Sequence, residues 1–140
     1  MKRTIIIAVL LALTAYAILV PGLAISEDES AVLLAKTLYT LARDQSDEVM
    51  LALGGVVMNR VANPWFPDTV AEVIEQPHQF AHGTKYDARS LRIANAALSG
   101  RYPLRRNVVY YHALDASQVW DMSGAHEILG NYGFFIKPAA

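Results

Sequence analysis

Hydrophobic and polar positions alternate with a helical period through most of the chain and with a strand period only near its end. Val32, Leu33, Ala35, Leu38, Tyr39 and Ala42 recur at the spacing of one helix face. Ser30 offers a cap at the start of this first helix, and the pattern stops near Arg43. Asp44-Gln45-Ser46-Asp47 then supplies turn and cap chemistry for a second helix running from Ser46 or Asp47 to Val61. Asp47 and Glu48 fall in its first turn, where negative charge meets the positive end of the helix dipole. Gly54-Gly55 in its middle costs about 1 kcal/mol per glycine relative to alanine, which a closely packed neighbouring helix would offset. Pro64 and Pro67 bracket a loop, and Thr69 with Glu72 forms a capping box for a short helix over Val70 to Glu75. Residues 76 to 87 carry no period and read as an ordered loop. A third long helix is expected over Ala88 to Leu98, with Gly100 as its stop. The β-branched and aromatic run Val108 to His112 predicts a strand. Glu127-Ile128-Leu129, the turn Gly130-Asn131 and Phe134-Phe135-Ile136 predict a hairpin. The fold class is therefore α+β: a mainly helical single domain with a small C-terminal sheet.

Ahead of this pattern lies a segment of different character. Lys2 and Arg3 precede an uncharged stretch from Thr4 to Ser26, with small residues at Gly22-Leu23-Ala24 and Ala15-Tyr16-Ala17. Basic start, apolar run and small-residue cleavage sites describe a secretory signal peptide. The 17 residues from Thr4 to Val20 also lie at the lower end of a bilayer-spanning helix, so an uncleaved N-terminal membrane anchor is the alternative. A buried core helix is disfavoured because no polar face interrupts the run. Residues 1–26 are accordingly assigned as signal or anchor, and residues 27–140 as one exported domain, secreted or held outside the membrane.

Composition narrows the function classes. The 140 residues carry 12 Lys+Arg against 13 Asp+Glu, so no basic face large enough for a nucleic-acid partner is expected. The absence of cysteine excludes disulfides, thiolate metal sites and a thiol nucleophile. His78 and His82 are spaced four apart, yet Pro77 and Gly83 oppose a helix there and no glutamate follows His78, so neither a metal nor another cofactor is expected. No serine stands in a nucleophile elbow. Aromatic residues are more informative: Trp65, Phe66, Phe80, Tyr86, Tyr110, Tyr111, Trp120 and Tyr132 are many for a domain of this size. Flat rings with polar handles suit sugars, although each ring taken singly has core packing as a sufficient explanation. Carboxylates for glycoside chemistry are Asp44, Asp47, Glu48, Glu72 and Glu75, and for Asp47, Glu48 and Glu72 capping already explains the residue.

The stretch from Leu33 to Val61 resembles the catalytic domain of spore cortex-lytic enzymes and related cell wall hydrolases, and aligns with that family's pattern without a gap. The resemblance continues through Phe66-Pro67-Asp68-Thr69-Val70, Val73-Ile74 and Gln76-Pro77-His78-Gln79-Phe80. It resumes at Tyr110-Tyr111-His112-Ala113 and closes at Leu129-Gly130-Asn131-Tyr132-Gly133-Phe134. The resemblance implies a lysozyme-like fold and, as substrate, the glycan strands of peptidoglycan. It implies cleavage of the β-1,4 bond between N-acetylmuramic acid and N-acetylglucosamine by lytic transglycosylation. In that reaction one glutamate protonates the leaving oxygen and then, as base, helps the muramic 6-hydroxyl close an anhydro ring.

The chain departs from the family at the position of that acid. The family's glutamate in its Gly-Glu-Ala-Arg motif is Leu41 here, its next acidic position is Gln45, and the histidine of its closing motif is Tyr132. Leucine neither donates nor accepts a proton. Two readings follow: a peptidoglycan-binding domain without the family chemistry, or an enzyme in which Asp44 or Glu48 acts instead. A third class is contact with a partner cell-wall protein through an apolar patch that includes Leu41. For sugar contact the resemblance points to Gln79, Phe80, Tyr110, Tyr111, His112 and Tyr132, with Trp120 added for its aromatic neighbourhood.

Overall fold

The structure is a computed structural model that describes residues 27–117 and 120–137. The expected signal or anchor over residues 1–26 lies outside the described residues. Among the described residues four helices come first: α1 (Glu27–Ala42), α2 (Asp47–Val61), α3 (Val70–Ile74) and α4 (Ala88–Leu98). Three short strands follow, β1 (Tyr110–Ala113), β2 (Glu127–Leu129) and β3 (Tyr132–Phe135), with a 3-10 turn at Met122–Gly124 before β2. Among the described residues no helix is long and apolar enough to cross a membrane.

Local chemistry accounts for most boundaries. Ser46 caps α2 by accepting from the Val49 amide at 3.3 Å, as the turn chemistry predicts. Thr69 caps α3 by accepting from the Glu72 amide at 3.2 Å. The Glu72 carboxylate accepts from the Thr69 hydroxyl at 2.9 Å rather than from its amide, so the full capping box does not form. α3 is one residue shorter than expected because Glu75 is its C-cap. Asp87 and Ser90 close a capping box at α4 that the sequence reading left unassigned. Gly100 turns the chain with φ +76° after α4. Ser30 is not a cap: it lies inside α1, which is described from Glu27 onward.

The α2 diglycine is the place where the helices meet. A Cβ at Gly54 would stand 2.9 Å from Ala97 Cβ on α4, so glycine lets the two backbones touch. Gly55 is crossed instead by the Tyr102 ring, 2.7 Å from where its Cβ would be. α1 packs on α4 and α2, and α2 on α3. Their buried faces form one core around Leu34, Leu38, Met50, Leu53, Val56 and Ile74, to which Phe134 of the sheet belongs.

β3 is the central strand, antiparallel to β1 on one side and β2 on the other, with Tyr111 opposite Phe134 and Ile128 opposite Gly133. The predicted hairpin is present with its turn at Gly130-Asn131, but its second strand runs from Tyr132 to Phe135, and Ile136 lies outside it. The β1 strand begins at Tyr110 rather than Val108. The Val108 carbonyl is taken instead by the Asn59 amide group at 2.9 Å. Among the described residues no buried side-chain nitrogen or oxygen lacks a hydrogen-bond partner.

Candidate functional site

The last turn of α1, the turn into α2 and the β2–β3 turn enclose a polar groove of about 180 Å³. Leu41 lies on its wall, half-buried and packed against the core. The groove is lined otherwise by polar groups, among them Thr40, Asp44, Asp115, Asn131 and Tyr132. Gln45 ties the two turns together: its side-chain Oε1 accepts from the Asn131 amide at 3.0 Å. Arg89 of α4 secures the same turn from outside, donating to the carbonyls of Gln45 at 2.6 Å and Arg43 at 3.1 Å. Asp44 and Asp115 are exposed, and Asp44 stands 3.8 Å from the Arg43 guanidinium.

From this groove an aromatic row crosses one face of the sheet. The Tyr132 ring lies 5.9 Å from that of Tyr111, which stacks on Phe80 at 5.4 Å. Tyr132 and Phe80 are only 7% and 6% exposed, so they form the floor of the row rather than its surface. The Tyr111 hydroxyl donates to the Gln79 carbonyl at 2.7 Å, fixing the loop before Phe80 to the sheet. Burial pushes the Tyr111 phenol well above its ordinary value, with Tyr132 adding to the shift and Arg60 opposing it. The Tyr132 phenol is raised for the same first reason, with the nearby Asp115 charge second.

Beneath the row lies Arg60, only 2% exposed, for which the sequence reading assigned no role. Its Nε donates to the Val109 carbonyl at 2.7 Å, and its Nη1 to Gln79 Oε1 at 3.0 Å and Gln76 Oε1 at 3.3 Å. Its guanidinium carbon stands 4.9 Å from the Phe66 ring centre, 5.1 Å from Phe80 and 5.6 Å from Tyr110. The signal was visible as a polar pair, Asn59-Arg60, at the end of an otherwise apolar helix.

The structure brings Leu41, Tyr132, Tyr111, Phe80 and Gln79 into one row, keeps Asp44 in the groove where the row begins, and separates the other predicted residues from it. Strand alternation turns Tyr110 and His112 to the other face of the sheet from Tyr111. There His112 stacks on Trp120 at 4.8 Å, and Trp120 meets Phe135 edge-on at 5.1 Å. Glu48 lines a different depression, between α2 and α4, with Leu51, Arg92 and Arg101. It projects from the first turn of α2, whereas Asp44 lies in the turn before that helix and lines the Leu41 groove. Asp115 and Asn131 were missed as groove residues because only tertiary contact joins them to α1, and Thr40, next to Leu41 on α1 itself, carried no signal of its own. Among the described residues no three acidic or histidine side chains converge as a metal site needs.

The comparisons with known proteins agree with this architecture. A family model described as Cell Wall Hydrolase matches residues 44–135. The chain belongs to the cell wall hydrolase family. The matched range opens at Asp44, just past Leu41. A spore cortex-lytic enzyme of Halalkalibacterium halodurans is 31% identical over 99 residues, which is 66% of this chain and 30% of that protein. One from Bacillus subtilis is 32% identical over 94 residues, 63% of this chain and 31% of that protein. The alignments thus span about a third of the length of these curated relatives. The crystal structure of the catalytic domain of the Bacillus cereus SleB protein superposes with a TM-score of 0.68, at 22% identity, over 83% of this chain and 94% of that domain. The catalytic domain of the germination-specific lytic transglycosylase SleB from Bacillus anthracis gives 0.68 at 23% identity, over 83% and 99%. The fold of this cell wall hydrolase is therefore the lysozyme-like one of those catalytic domains.

Proposed function

We propose that this cell wall hydrolase family member is an exported protein that binds the glycan strands of peptidoglycan without cleaving them by the family's reaction. The observation that carries the reading is Leu41. It stands where the family resemblance puts the proton-transferring glutamate, at the wall of a groove with a polar lining. Loss of a general acid removes about two to four orders of magnitude in rate. The groove retains what sugar binding requires: amide, hydroxyl and carboxylate groups for hydroxyls, and an aromatic row beside them. The second reading, a displaced acid, draws support from Asp44 and Asp115, which line the same groove. Against it, both are exposed, and a general acid is kept protonated by apolar burial rather than by solvent and a neighbouring cation.

The test is digestion of purified peptidoglycan by the full chain and by Leu41→Glu, with mass spectrometry of soluble products and assay of protein in the pellet. The expected result is co-sedimentation of both proteins and no anhydro-muropeptides from the natural chain. Anhydro products from the natural chain that vanish in Asp44→Asn or Asp115→Asn would transfer catalysis to that aspartate. A natural chain that stays in the supernatant at micromolar concentration would sink the glycan reading and favour a partner-protein surface.

A further inference from the structure

Trp65 is 90% exposed, the most exposed large apolar side chain among the described residues, and the loop beneath it is rigidly built. Its own amide donates to Asn63 Oδ1 at 2.9 Å, and the Phe66 amide donates to the Asn63 carbonyl at 3.0 Å. Phe66 next to it is clamped between Tyr110, edge-on at 6.2 Å, and the Arg60 guanidinium. A loop pinned at both ends by Pro64 and Pro67 thus holds an indole out into water, where it packs against little among the described residues. The same Arg60 holds Gln76 and Gln79, and between those two residues His78 is exposed with φ +60°, the only non-glycine residue among those described in the left-handed region. One buried cation therefore anchors the two loops that carry Trp65 and His78, at the far end of the row that begins at Leu41 and Tyr132.

We propose that Trp65, with His78 beside the same anchor, is a stacking platform that holds a sugar of the glycan strand distant from the Leu41 groove. The inference rests on the glycan-binding reading above and adds to it an outlying subsite outside the groove. The occupant follows from chemistry and continuity. Pyranose rings present apolar C–H faces that lie flat on an indole, while an imidazole offers hydrogen bonds to their hydroxyls. The rings of Tyr132, Tyr111, Phe80 and Phe66 connect platform and groove through successive contacts, two of them made by Arg60. The loop backbone is already set by its own hydrogen bonds and loses little freedom on binding, which favours affinity for a repeating polymer.

The experiment compares the full chain with Trp65→Ala and Trp65→Tyr by co-sedimentation with purified peptidoglycan. Because Trp65 is exposed, the variants should keep the natural circular dichroism spectrum and melting temperature. The expected result is a fivefold to tenfold loss of affinity in Trp65→Ala and near-complete recovery in Trp65→Tyr, which restores a flat ring. Equal binding by all three proteins would overturn the platform and leave the groove reading standing. No binding by the natural chain would overturn the groove reading and the platform with it. Loss of partition onto phosphatidylglycerol vesicles in Trp65→Ala, with peptidoglycan binding unchanged, would overturn the platform in favour of a membrane contact.

Discussion

The phenol of Tyr132 donates a 2.6 Å hydrogen bond to the main-chain carbonyl of Leu41. Leu41 lies in the last turn of α1, where carbonyls have no helical partner, so a residue 91 positions away completes the end of this helix. The bond also sets the distance between the two walls of the groove. Removing the hydroxyl in Tyr132→Phe should cost about 1 kcal/mol of stability, read from urea unfolding. The same variant should loosen the groove, seen as faster amide exchange at Asp44 and Gln45.

Arg60 carries a heavier share of stability. Among the described residues no carboxylate pairs with it, and its charge is held by three oxygens and three aromatic faces. Arg60→Ala should destabilise the domain by about 3 kcal/mol or more, since it opens a cavity and strands the Val109 carbonyl. Arg60→Lys keeps the charge but loses the fork, and its midpoint in a urea titration should fall between the two.

The contact between Gly54 and Ala97 gives a prediction with a built-in control. Gly54→Ala gains about 1 kcal/mol of helix propensity, yet its methyl would meet Ala97 Cβ at 2.9 Å. Overpacking of a fixed backbone contact costs about 1–3 kcal/mol, so the net effect on thermal unfolding should be destabilising. Adding Ala97→Gly should recover part of the loss, because the double variant only moves the methyl across the interface.

Acid sensitivity should trace to Asp47. A hydrogen bond from Arg89 at 2.6 Å, joined by Arg92 at 3.1 Å, holds its carboxyl below the ordinary value of 3.8. A depressed carboxyl contributes stability that is present above its unfolded value and lost as pH falls through the folded one. Melting temperature should therefore drop as pH falls below about 4, and Asp47→Asn should flatten that drop.

On the alkaline side the sign reverses. Burial raises the Tyr111 phenol above its ordinary value of 10.0, so folding favours the neutral form. The associated stability is complete below pH 10 and is lost as pH rises through the folded value. Melting curves taken from pH 9 to 11 should fall less steeply for Tyr111→Phe than for the natural chain.

Local signals were legible in the sequence and long-range ones were not. The limits of α2 and α4, the Thr69 cap and the Gly130-Asn131 turn follow from residues within a few positions of each other. Ser30 misled because a good cap residue is also tolerated inside a helix, and the residues before it, Glu27 to Glu29, are already helical. At the groove, Leu41 and Tyr132 were identified from their places in the family pattern. Asp115 and Asn131 were invisible because they reach Thr40 and Leu41 only when the sheet folds back on α1. Aromatic content was legible, but its direction was not: a one-residue step in β1 sends Tyr111 to the row and His112 to Trp120.

The buried guanidinium of Arg60 has a consequence for how the domain opens. It is hydrogen-bonded to the start of the sheet and to the Gln76–Gln79 loop, and it packs on the Phe66 loop. None of these three segments can part from α2 without exposing a desolvated cation to the loss of its other partners. They form one cooperative unit, so the amides from Asn63 to Phe80 and at Val109 exchange with solvent through a shared opening rather than loop by loop.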